Sequence, residues 1–251
     1  MATLPASTGS RWVKWIGAFA LGGAILAVLI AVTSLTLARY DMIDKLSGFI
    51  GFMMLLNPAR ALAVIAAIGL LLAFVRKTGP KWQSATALVL SGGLLVVIYY
   101  AVILPAGEAP PLHDITTDVD DPPQFQTLEL RADNLIPFQS EEEWRAAHRT
   151  GYPDIGPVVI DKSPSEVLAN ARALAEGNGW DIASIDIPAG HMEATAYAGY
   201  LRFRDDVIVE VTPIDDGSTR VDMRSVSRVG LSDLGYNAKR IEAFLAELQT
   251  L

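Results

Sequence analysis

The sequence contains no cysteine among its 251 residues. This absence excludes disulfide bonds, iron–sulfur clusters and zinc sites built from thiolates, so any folded domain depends on its own core for stability. Acidic residues are scarce in the first 104 positions, which hold two Asp or Glu and eight Lys or Arg. Few carboxylates combined with long apolar runs are typical of membrane-embedded helices.

Charge is distributed unevenly along the chain. Residues 105–251 hold 26 Asp or Glu and 12 Lys or Arg, so the net charge of −8 consists of +6 in residues 1–104 and −14 in the remainder. A strongly acidic domain is repelled by nucleic-acid phosphates, because binding to them depends on cationic side chains. We therefore expect no nucleic-acid partner.

Three apolar runs predict transmembrane helices, because each is long enough to cross a hydrocarbon core of about 30 Å at about 1.5 Å per residue. They lie at about residues 13–38, 58–75 and 85–104. The lipid bilayer is therefore the first expected partner. The predicted organisation is a membrane domain, a Pro- and Gly-containing linker and an exported domain, at residues 1–104, 105–111 and 112–251.

The cationic residues that flank these runs predict the orientation. Five lie on one side of the membrane and three on the other: Arg11, Lys14, Arg76, Lys77 and Lys81 against Arg39, Lys45 and Arg60. The side richer in Lys and Arg is usually cytoplasmic. The sequence thus predicts a multi-pass protein of a bacterial inner membrane, with a cytoplasmic N-terminus and a periplasmic C-terminal domain.

Residues 41–56 separate the first two predicted spans. Asn57 as N-cap and Pro58 at the first helical position predict that the second span begins there, which leaves residues 41–56 as a short interfacial or re-entrant helix. No Asp, Glu, Lys or His lies deep within a predicted span, so a channel or transporter is not expected. The pairs Gly22-Gly23 and Gly92-Gly93 predict close helix contact.

The C-terminal part predicts an α+β two-layer domain with a largely antiparallel sheet. Two capping-box patterns, Ser140 with Glu143 and Ser163 with Glu166, predict helix starts. After Trp180 the apolar period changes from that of a helix to two, which predicts strands. The predicted elements are helices at about 141–149, 164–177 and 235–249, and strands at about 181–187, 192–203, 207–213 and 219–228.

The last two strands predict a hairpin with a definite register. If Val211 faces Val221, one face carries apolar residues and the other carries charges of both signs. The predicted core face holds Val207, Val209, Val211, Val221, Met223 and Ser225, and the other face holds Glu210, Arg220, Asp222, Arg224 and Arg228.

Several segments of this domain resemble one known family. They are His113-Asp114-Ile115-Thr116-Thr117-Asp118, Asp121-Pro122-Pro123, Tyr152-Pro153, Phe203-Arg204-Asp205-Asp206, and the stretches 221–230 and 232–241. In these motifs residues 111–250 resemble the bacterial and plastid family of the domain of unknown function fourteen ninety-nine. The resemblance implies a domain of the bacterial envelope or of a thylakoid-type membrane, and it implies no activity.

One polar cluster is the candidate ligand- or partner-binding site. Two guanidiniums beside hydroxyls and the polar start of a helix are suited to holding a carboxylate or phosphate. The candidate residues are Arg224, Ser225, Ser227, Arg228, Asp233, Asn237 and Arg240. The alternative is structural: the arginines pair with Glu210, Asp206 or Asp222.

Metal and cofactor motifs are weak or absent. His113, Asp114 and Asp118 are the only weak metal candidates, because their spacing lacks the Asp-x-Asp-x-Asp-Gly pattern of a calcium loop. The alternative is a solvent-exposed acidic segment. No phosphate-binding or dinucleotide-binding glycine motif is present, so no cofactor is expected.

No catalytic residue is predicted. A Ser/His/Asp triad would use His113, His148 or His191, but no Gly-x-Ser-x-Gly elbow is present and no orienting carboxylate is evident beside these histidines. Two functional hypotheses remain: a membrane-anchored periplasmic binding or scaffold module of the cell envelope, and an envelope hydrolase or transferase that uses Arg and Asp groups. The missing nucleophile–base pair favours the first. A protein partner in the membrane or periplasm stays open.

Overall fold

A computed structural model describes residues 8–214 and 217–251, with the side chains of the first helix described from residue 11. The chain divides into two units, Met1–Leu104 and Pro105–Leu251. The first is helical, and three of its stretches are long and apolar enough to cross a membrane by length and composition. The helices are α1 Thr8–Arg39, α2 Lys45–Met53, α3 Leu56–Val75 and α4 Lys81–Ile98, followed by a π-helical turn Tyr99–Ile103 and α5 Leu104–Glu108.

The three long helices predicted from the apolar runs are confirmed as helices, but two predicted boundaries change. Asn57 is not the N-cap of α3, which begins at Leu56 after Leu55. Met54 and Leu55 both keep right-handed helical backbone angles, so the backbone stays helical between α2 and α3. The start of α3 therefore has no side-chain cap. The first half of the predicted linker is also helical, because α5 extends to Glu108.

Small residues bring the helices of the first unit together. A Cβ added at Gly48 of α2 would lie 2.3 Å from Ala38 Cβ and 2.9 Å from the Ser34 carbonyl oxygen of α1. Lys45 donates to the Ala38 carbonyl at 3.0 Å, which also accepts the Asp41 N–H at 3.1 Å, and so helps to satisfy the carbonyls at the end of α1. Of the predicted glycine contacts, Gly23 meets Leu62, whereas Gly22, Gly92 and Gly93 have no atom within 4 Å of an added Cβ.

The second unit is built on one antiparallel sheet of six strands. The neighbours run in the order β1-β6-β5-β4-β3, and β2 pairs with β6 beyond β1 along the same strand. The predicted α+β domain with an antiparallel sheet is therefore confirmed. The elements are β1 Asp114–Thr116, α6 Glu141–Gly151, β2 Val158–Ile160, α7 Pro164–Gly177, β3 Asp181–Asp186, β4 His191–Ala198, β5 Phe203–Pro213, β6 Thr219–Ser227 and α8 Tyr236–Leu248.

Local signals place most of these elements correctly. Ser140 accepts the Glu143 N–H at 3.2 Å and caps α6, and Glu166 accepts the Ser163 N–H at 3.2 Å at the start of α7. The strands β1 and β2 were not predicted, because each has only three residues and no apolar alternation is readable over so short a length.

The hairpin register is confirmed, since Val211 pairs with Val221, Val209 with Met223 and Val207 with Ser225. Val207, Val209 and Met223 pack with side chains of α7 and α8, and we call this side of the sheet the helix face. The opposite side, the loop face, carries the cross-strand row Glu193, Ile208 and Arg224. This face is also buried, because Ile208 is 0% exposed and Arg224 is 6% exposed.

Candidate functional site

Two polar clusters contain the residues that the sequence singled out, one on each face of the sheet. On the loop face, residues 121–134 cross the strands and cover them, and we call these residues the covering segment. Its backbone N–H groups at Gln126 and Leu128 donate to Glu193 on β4, and its Pro123 carbonyl accepts from Arg224 on β6. The loop-face cluster therefore lies between the sheet and the covering segment.

Arg224 is the cation at the centre of this cluster. Its Nε and Nη2 contact the two carboxylate oxygens of Asp114 at 2.9 and 2.7 Å, and its Nη1 donates to the Pro123 carbonyl at 3.0 Å. Asn134 donates a further hydrogen bond to Asp114. Both partners of the ion pair are buried. The two-point geometry is the strong form of an Arg–carboxylate interaction, so the guanidinium is already neutralised by a group of the same chain.

Arg228 lies on the same face but closer to solvent. Its guanidinium contacts both oxygens of Asp206, with Nε–Oδ2 at 2.9 Å and Nη2–Oδ1 at 2.7 Å, and donates to Thr195 Oγ1 at 3.0 Å. The Arg228 side chain is 40% exposed, whereas Asp206 is buried. Arg228 is therefore paired internally while one side of its guanidinium stays accessible from solvent.

The second polar cluster lies on the helix face and is centred on Asn237. Its amide nitrogen donates to the His113 carbonyl at 2.9 Å and to Ser227 Oγ at 3.0 Å, and its amide oxygen accepts from Ser225 Oγ at 2.7 Å. Arg240 donates to Ser225 Oγ at 2.9 Å and pairs with Asp205 at 2.6 Å. Asn237 is 0% exposed, so this network ties α8 to β6 and to the start of β1 within the core.

Asp233 caps α8 beside this network. Its two carboxylate oxygens accept the N–H groups of Gly235 at 2.8 Å and Asn237 at 2.6 Å. Burial raises the pKa of Asp233 to about 6, although the two N–H donors and Arg240 favour its charged form. A carboxylate with this pKa changes charge just below neutral pH.

The seven predicted binding residues thus do not form one site. Side chains alternate between the two faces of a strand, so Arg224 and Arg228 of the β6 segment point to the loop face while Ser225 and Ser227 point to the helix face. Asp233, Asn237 and Arg240 join the two serines. The predicted hairpin register already places Ser225 on the core face and Arg224 and Arg228 on the other face, and the strand pairing confirms that division.

Asp114 and Asp118, two of the three weak metal candidates, have separate structural partners. Asp114 is the partner of Arg224, and Asp118 accepts the N–H groups of Asp120 and Asp121 at 3.0 Å and pairs with Arg220 at 2.8 Å. These hydrogen bonds, with that of Asp121 the largest, lower the pKa of Asp118. Within residues 8–214 and 217–251, no group of three His, Cys, Asp or Glu side chains is arranged to hold a metal ion.

Asp114 and His113 are buried, which corrects the alternative of a solvent-exposed acidic segment at these two positions. The backbone of the segment forms the edge strand β1, because Asp114, Ile115 and Thr116 pair with β6. Burial lowers the pKa of His113. It also lowers the pKa of His148, whose Nε2 accepts the Thr116 N–H at 3.1 Å and is therefore the unprotonated nitrogen of a neutral ring.

The sequence reasoning missed a histidine held between two carboxylates. His191 Nε2 lies 2.9 Å from Glu193 and Nδ1 lies 3.2 Å from Glu210, which corrects the expectation that no carboxylate orients this ring. The signal was present, because His191 and Glu193 are two residues apart and share one face of a strand. Both ring nitrogens of His191 are occupied by carboxylates, so this arrangement leaves neither nitrogen to activate a nucleophile.

Glu193 is the anchor of the covering segment. Its carboxylate accepts three consecutive N–H groups, those of Gln126 at 2.6 Å, Thr127 at 3.0 Å and Leu128 at 2.6 Å, besides the contact with His191. Burial by itself raises the pKa of Glu193, but these four hydrogen bonds outweigh burial and lower it. A buried negative charge held by backbone amides fixes the path of a segment that has no helix or strand of its own.

A protein-family model matches most of the second unit. The family described as Protein of unknown function (DUF1499) matches residues 114–248, from the first residue of β1 to the last residue of α8. A search of curated proteins found no match to the chain. The matched residues include Asp114, Glu193, Arg224 and Asn237, the centres of both polar clusters. Because the match covers more than half of the 251 residues, the chain belongs to the family Protein of unknown function (DUF1499), as its motifs predict.

Proposed function

We propose that the protein is a membrane-anchored, non-catalytic binding or scaffold module of the bacterial cell envelope. Its three long helices cross the inner membrane, and its C-terminal domain lies in the periplasm. The observation that carries the proposal is the exposed apolar surface of the helices. Leu29, Val64, Leu71, Val89 and Val96 are each more than half exposed. In water this surface would cost about 25 cal/mol per Å², whereas a hydrocarbon environment removes the cost.

The charges at the helix ends support the proposed orientation. Arg11, Lys14, Arg76, Lys77 and Lys81 flank the side assigned to the cytoplasm. The other side has Arg39, Lys45 and Arg60, so five cations stand against three, and the side richer in Lys and Arg is usually cytoplasmic.

The site geometry favours binding over catalysis. Arg224 and Arg240 are occupied by Asp114 and Asp205, and both nitrogens of His191 are occupied by carboxylates. Charges paired in this way rigidify a domain and are not poised to transfer protons. The half-exposed Arg228 is the candidate residue best placed to contact a protein partner in the membrane or periplasm.

The absence of cysteine allows a direct test of topology, because single cysteines can be labelled without background. Ser165→Cys places a thiol on the exposed first turn of α7, and Trp82→Cys places one on the exposed start of α4. In spheroplasts, a membrane-impermeant maleimide should label Ser165→Cys at once and Trp82→Cys only after permeabilisation. The reverse order would invert the topology, and recovery of the protein in the soluble fraction would end the anchoring proposal.

The binding proposal is tested by affinity purification of the full-length protein in mild detergent. A stoichiometric co-purifying protein that is lost in Arg228→Ala but kept in Arg172→Ala supports a partner that contacts the Arg228 side. Arg172 is the matched control, because it is an exposed arginine paired with Glu176. Purification of the wild-type protein without any partner from its native membrane would contradict the scaffold hypothesis.

A further inference from the structure

One end of the domain carries exposed apolar side chains beside exposed cations. Tyr200 in the turn between β4 and β5 is 59% exposed, and Leu231 in the loop after β6 is 54% exposed. Tyr236, at the first turn of α8, is also exposed, as are Leu135 and Ile136 of the neighbouring turn. Exposed apolar groups of this size near one another mark an interaction surface.

Strand directions place these residues at one end of the sheet. The β4–β5 turn lies next to the start of β5, where Asp205 pairs with Ser227 at the end of β6. Asp114, the first residue of β1, pairs with Val226, the residue before Ser227. The turn, the loop after β6 and the segment that leads into β1 are therefore neighbours. We call this region the entry end.

Close contacts join the parts of the entry end. A Cβ added at Gly199 would lie 3.4 Å from Tyr236 Oη, and one added at Gly235 would lie 3.4 Å from Ala109 Cβ. The Arg131 Nη1 donates to the Gly230 carbonyl at 2.6 Å, which holds the turn containing Leu135 next to Leu231. The start of α8, the β4–β5 turn and the incoming chain thus form one surface.

The exposed apolar side chains of the entry end lie among charges of both signs, which include the exposed carboxylates of Glu108 and Asp181. Arg202, Arg204 and Lys239 are exposed there. The exposed carboxylate of Asp133 is paired with Arg131 at 2.7 Å. At the opposite end of the sheet, the turn between β3 and β4 also has an exposed apolar residue, Ile187, but Asp186 precedes it and no cation lies in that turn. The exposed tyrosine of the β4–β5 turn therefore lies beside cations, whereas Ile187 of the β3–β4 turn does not.

The place where the chain enters the domain favours lipid as the partner of this surface. The third apolar stretch ends at Glu108, and the next residue, Ala109, already packs on the start of α8. One residue spans at most about 3.6 Å, so the end of that stretch and the entry end are close along the chain. Tyrosines and cations beside leucines are the composition of protein surfaces at lipid headgroups.

We infer that the entry end binds the headgroup layer of the lipid bilayer, with Tyr200, Leu231 and Tyr236 entering the interface and Arg202, Arg204 and Lys239 contacting lipid phosphates. This inference rests on the proposed function, because it requires that the three helices span the membrane. It adds a second attachment of the C-terminal domain to the bilayer.

The test uses the full-length protein in phosphatidylcholine nanodiscs, with one fluorophore attached to a single cysteine at a time. Leu231→Cys reports on the entry end, Ile187→Cys is the matched exposed apolar position at the opposite end, and Leu71→Cys reports on the exposed surface of α3. Lipids that carry a spin label near the headgroup or in the acyl chain quench only nearby fluorophores. We expect quenching at Leu231→Cys to exceed that at Ile187→Cys by at least about twofold, with strong acyl-chain quenching at Leu71→Cys.

The outcomes separate the two proposals. Quenching at Leu71→Cys with none at Leu231→Cys overturns the headgroup contact and leaves the spanning helices intact. No quenching at Leu71→Cys overturns the spanning helices and the inference with them. If Leu231→Cys is protected from a soluble quencher but not quenched by lipid, a protein covers the entry end and the lipid assignment is wrong. Adding Tyr200→Ser to Leu231→Cys should reduce the lipid quenching, and an unchanged signal would contradict the role of Tyr200.

Discussion

Arg224 and Asp114 form a buried two-point ion pair, although they lie 110 positions apart in the chain. Asp114 is the first residue of the edge strand β1, and Arg224 is on β6, which pairs with it. The Arg224 guanidinium also binds the Pro123 carbonyl of the covering segment. One side chain therefore joins the edge strand, the sheet and the segment that covers it.

Removing one partner of this pair should strongly destabilise the domain. In Arg224→Ala the Asp114 carboxylate stays buried without its countercharge, and we expect a loss of about 3–5 kcal/mol in the free energy of unfolding. Urea denaturation of the detergent-purified protein, followed by tryptophan fluorescence, measures this change. Arg172→Ala removes an exposed pair and should cost at most about 1 kcal/mol. Equal losses in the two variants would show that burial of the Arg224 pair has no special effect.

Glu193 should control the mobility of the covering segment. Glu193→Gln removes the negative charge and turns an amide group toward N–H donors, so hydrogen–deuterium exchange at residues 126–128 should rise by about tenfold or more. Glu129→Gln, an exposed carboxylate next to these residues, is the control and should leave the exchange unchanged. Protection equal to that of the wild type in Glu193→Gln would mean that other contacts fix the segment.

The lowered pKa of Glu193 also predicts how hydrogen exchange in the covering segment changes with pH. Its contribution to stability is fully present above the unfolded pKa, whose reference value is 4.5, and is lost as the pH falls through the lower folded pKa. Wild-type exchange at residues 126–128, corrected for the intrinsic rate, should therefore increase in acid. Glu193→Gln should lack this acid response.

Asp233 should make the domain less stable as the pH rises toward neutrality. Burial raises its pKa from 3.8 to about 6. At pH values between these two pKa values, the folded state therefore binds more protons than the unfolded state. The contribution is fully present below pH 3.8 and is lost as the pH rises through about 6, a change of roughly 3 kcal/mol. Urea denaturation at several pH values across this range measures the free energy of unfolding. As the pH rises, the value for the wild type should fall relative to that for Asp233→Asn. A difference that stays constant with pH would mean that Asp233 does not titrate near 6.

Gly48 should be needed for the contact between α1 and α2. Gly48→Ala places a methyl group against the Ala38 side chain and the Ser34 carbonyl, so we expect a loss of roughly 1–3 kcal/mol in the free energy of unfolding. Gly51→Ala in the same helix is the matched control, because its added Cβ would lie at an ordinary 3.5 Å from Ser34. Thermal denaturation of both variants in one detergent should separate them, and equal melting temperatures would contradict the close α1–α2 contact.

The elements with strong local patterns were predictable because their signals lie within a few residues. The capping serines Ser140 and Ser163 mark helix starts by contacts to the next turn. The β5–β6 register followed from alternation on both sides of a short turn, and Val211 does pair with Val221. The three-residue strand β1 escaped prediction because it is defined by its pairing with β6 and not by its own pattern.

The faces on which the candidate residues of β6 lie were predictable from the hairpin register, whereas their partners were not. Ser225 and Arg224 are adjacent in sequence and lie on opposite faces of β6, where they contact Asn237 and Asp114 respectively. The His191 and Glu193 pair was readable from the period of a strand, whereas the N–H donors at residues 126–128 were not, because they come from a segment without regular structure.

The sequence by itself determined the apolar helices, the acidic C-terminal domain, its main strands and helices, and its family, because composition, periodicity and motifs are local properties of the chain. Only the tertiary structure decided that the charged face of the sheet is buried. That burial depends on the covering segment, whose backbone amides meet Glu193 more than 60 positions away. A carboxylate accepts any suitably placed N–H group, so its partner is chosen by the folded path of the chain and not by a residue type.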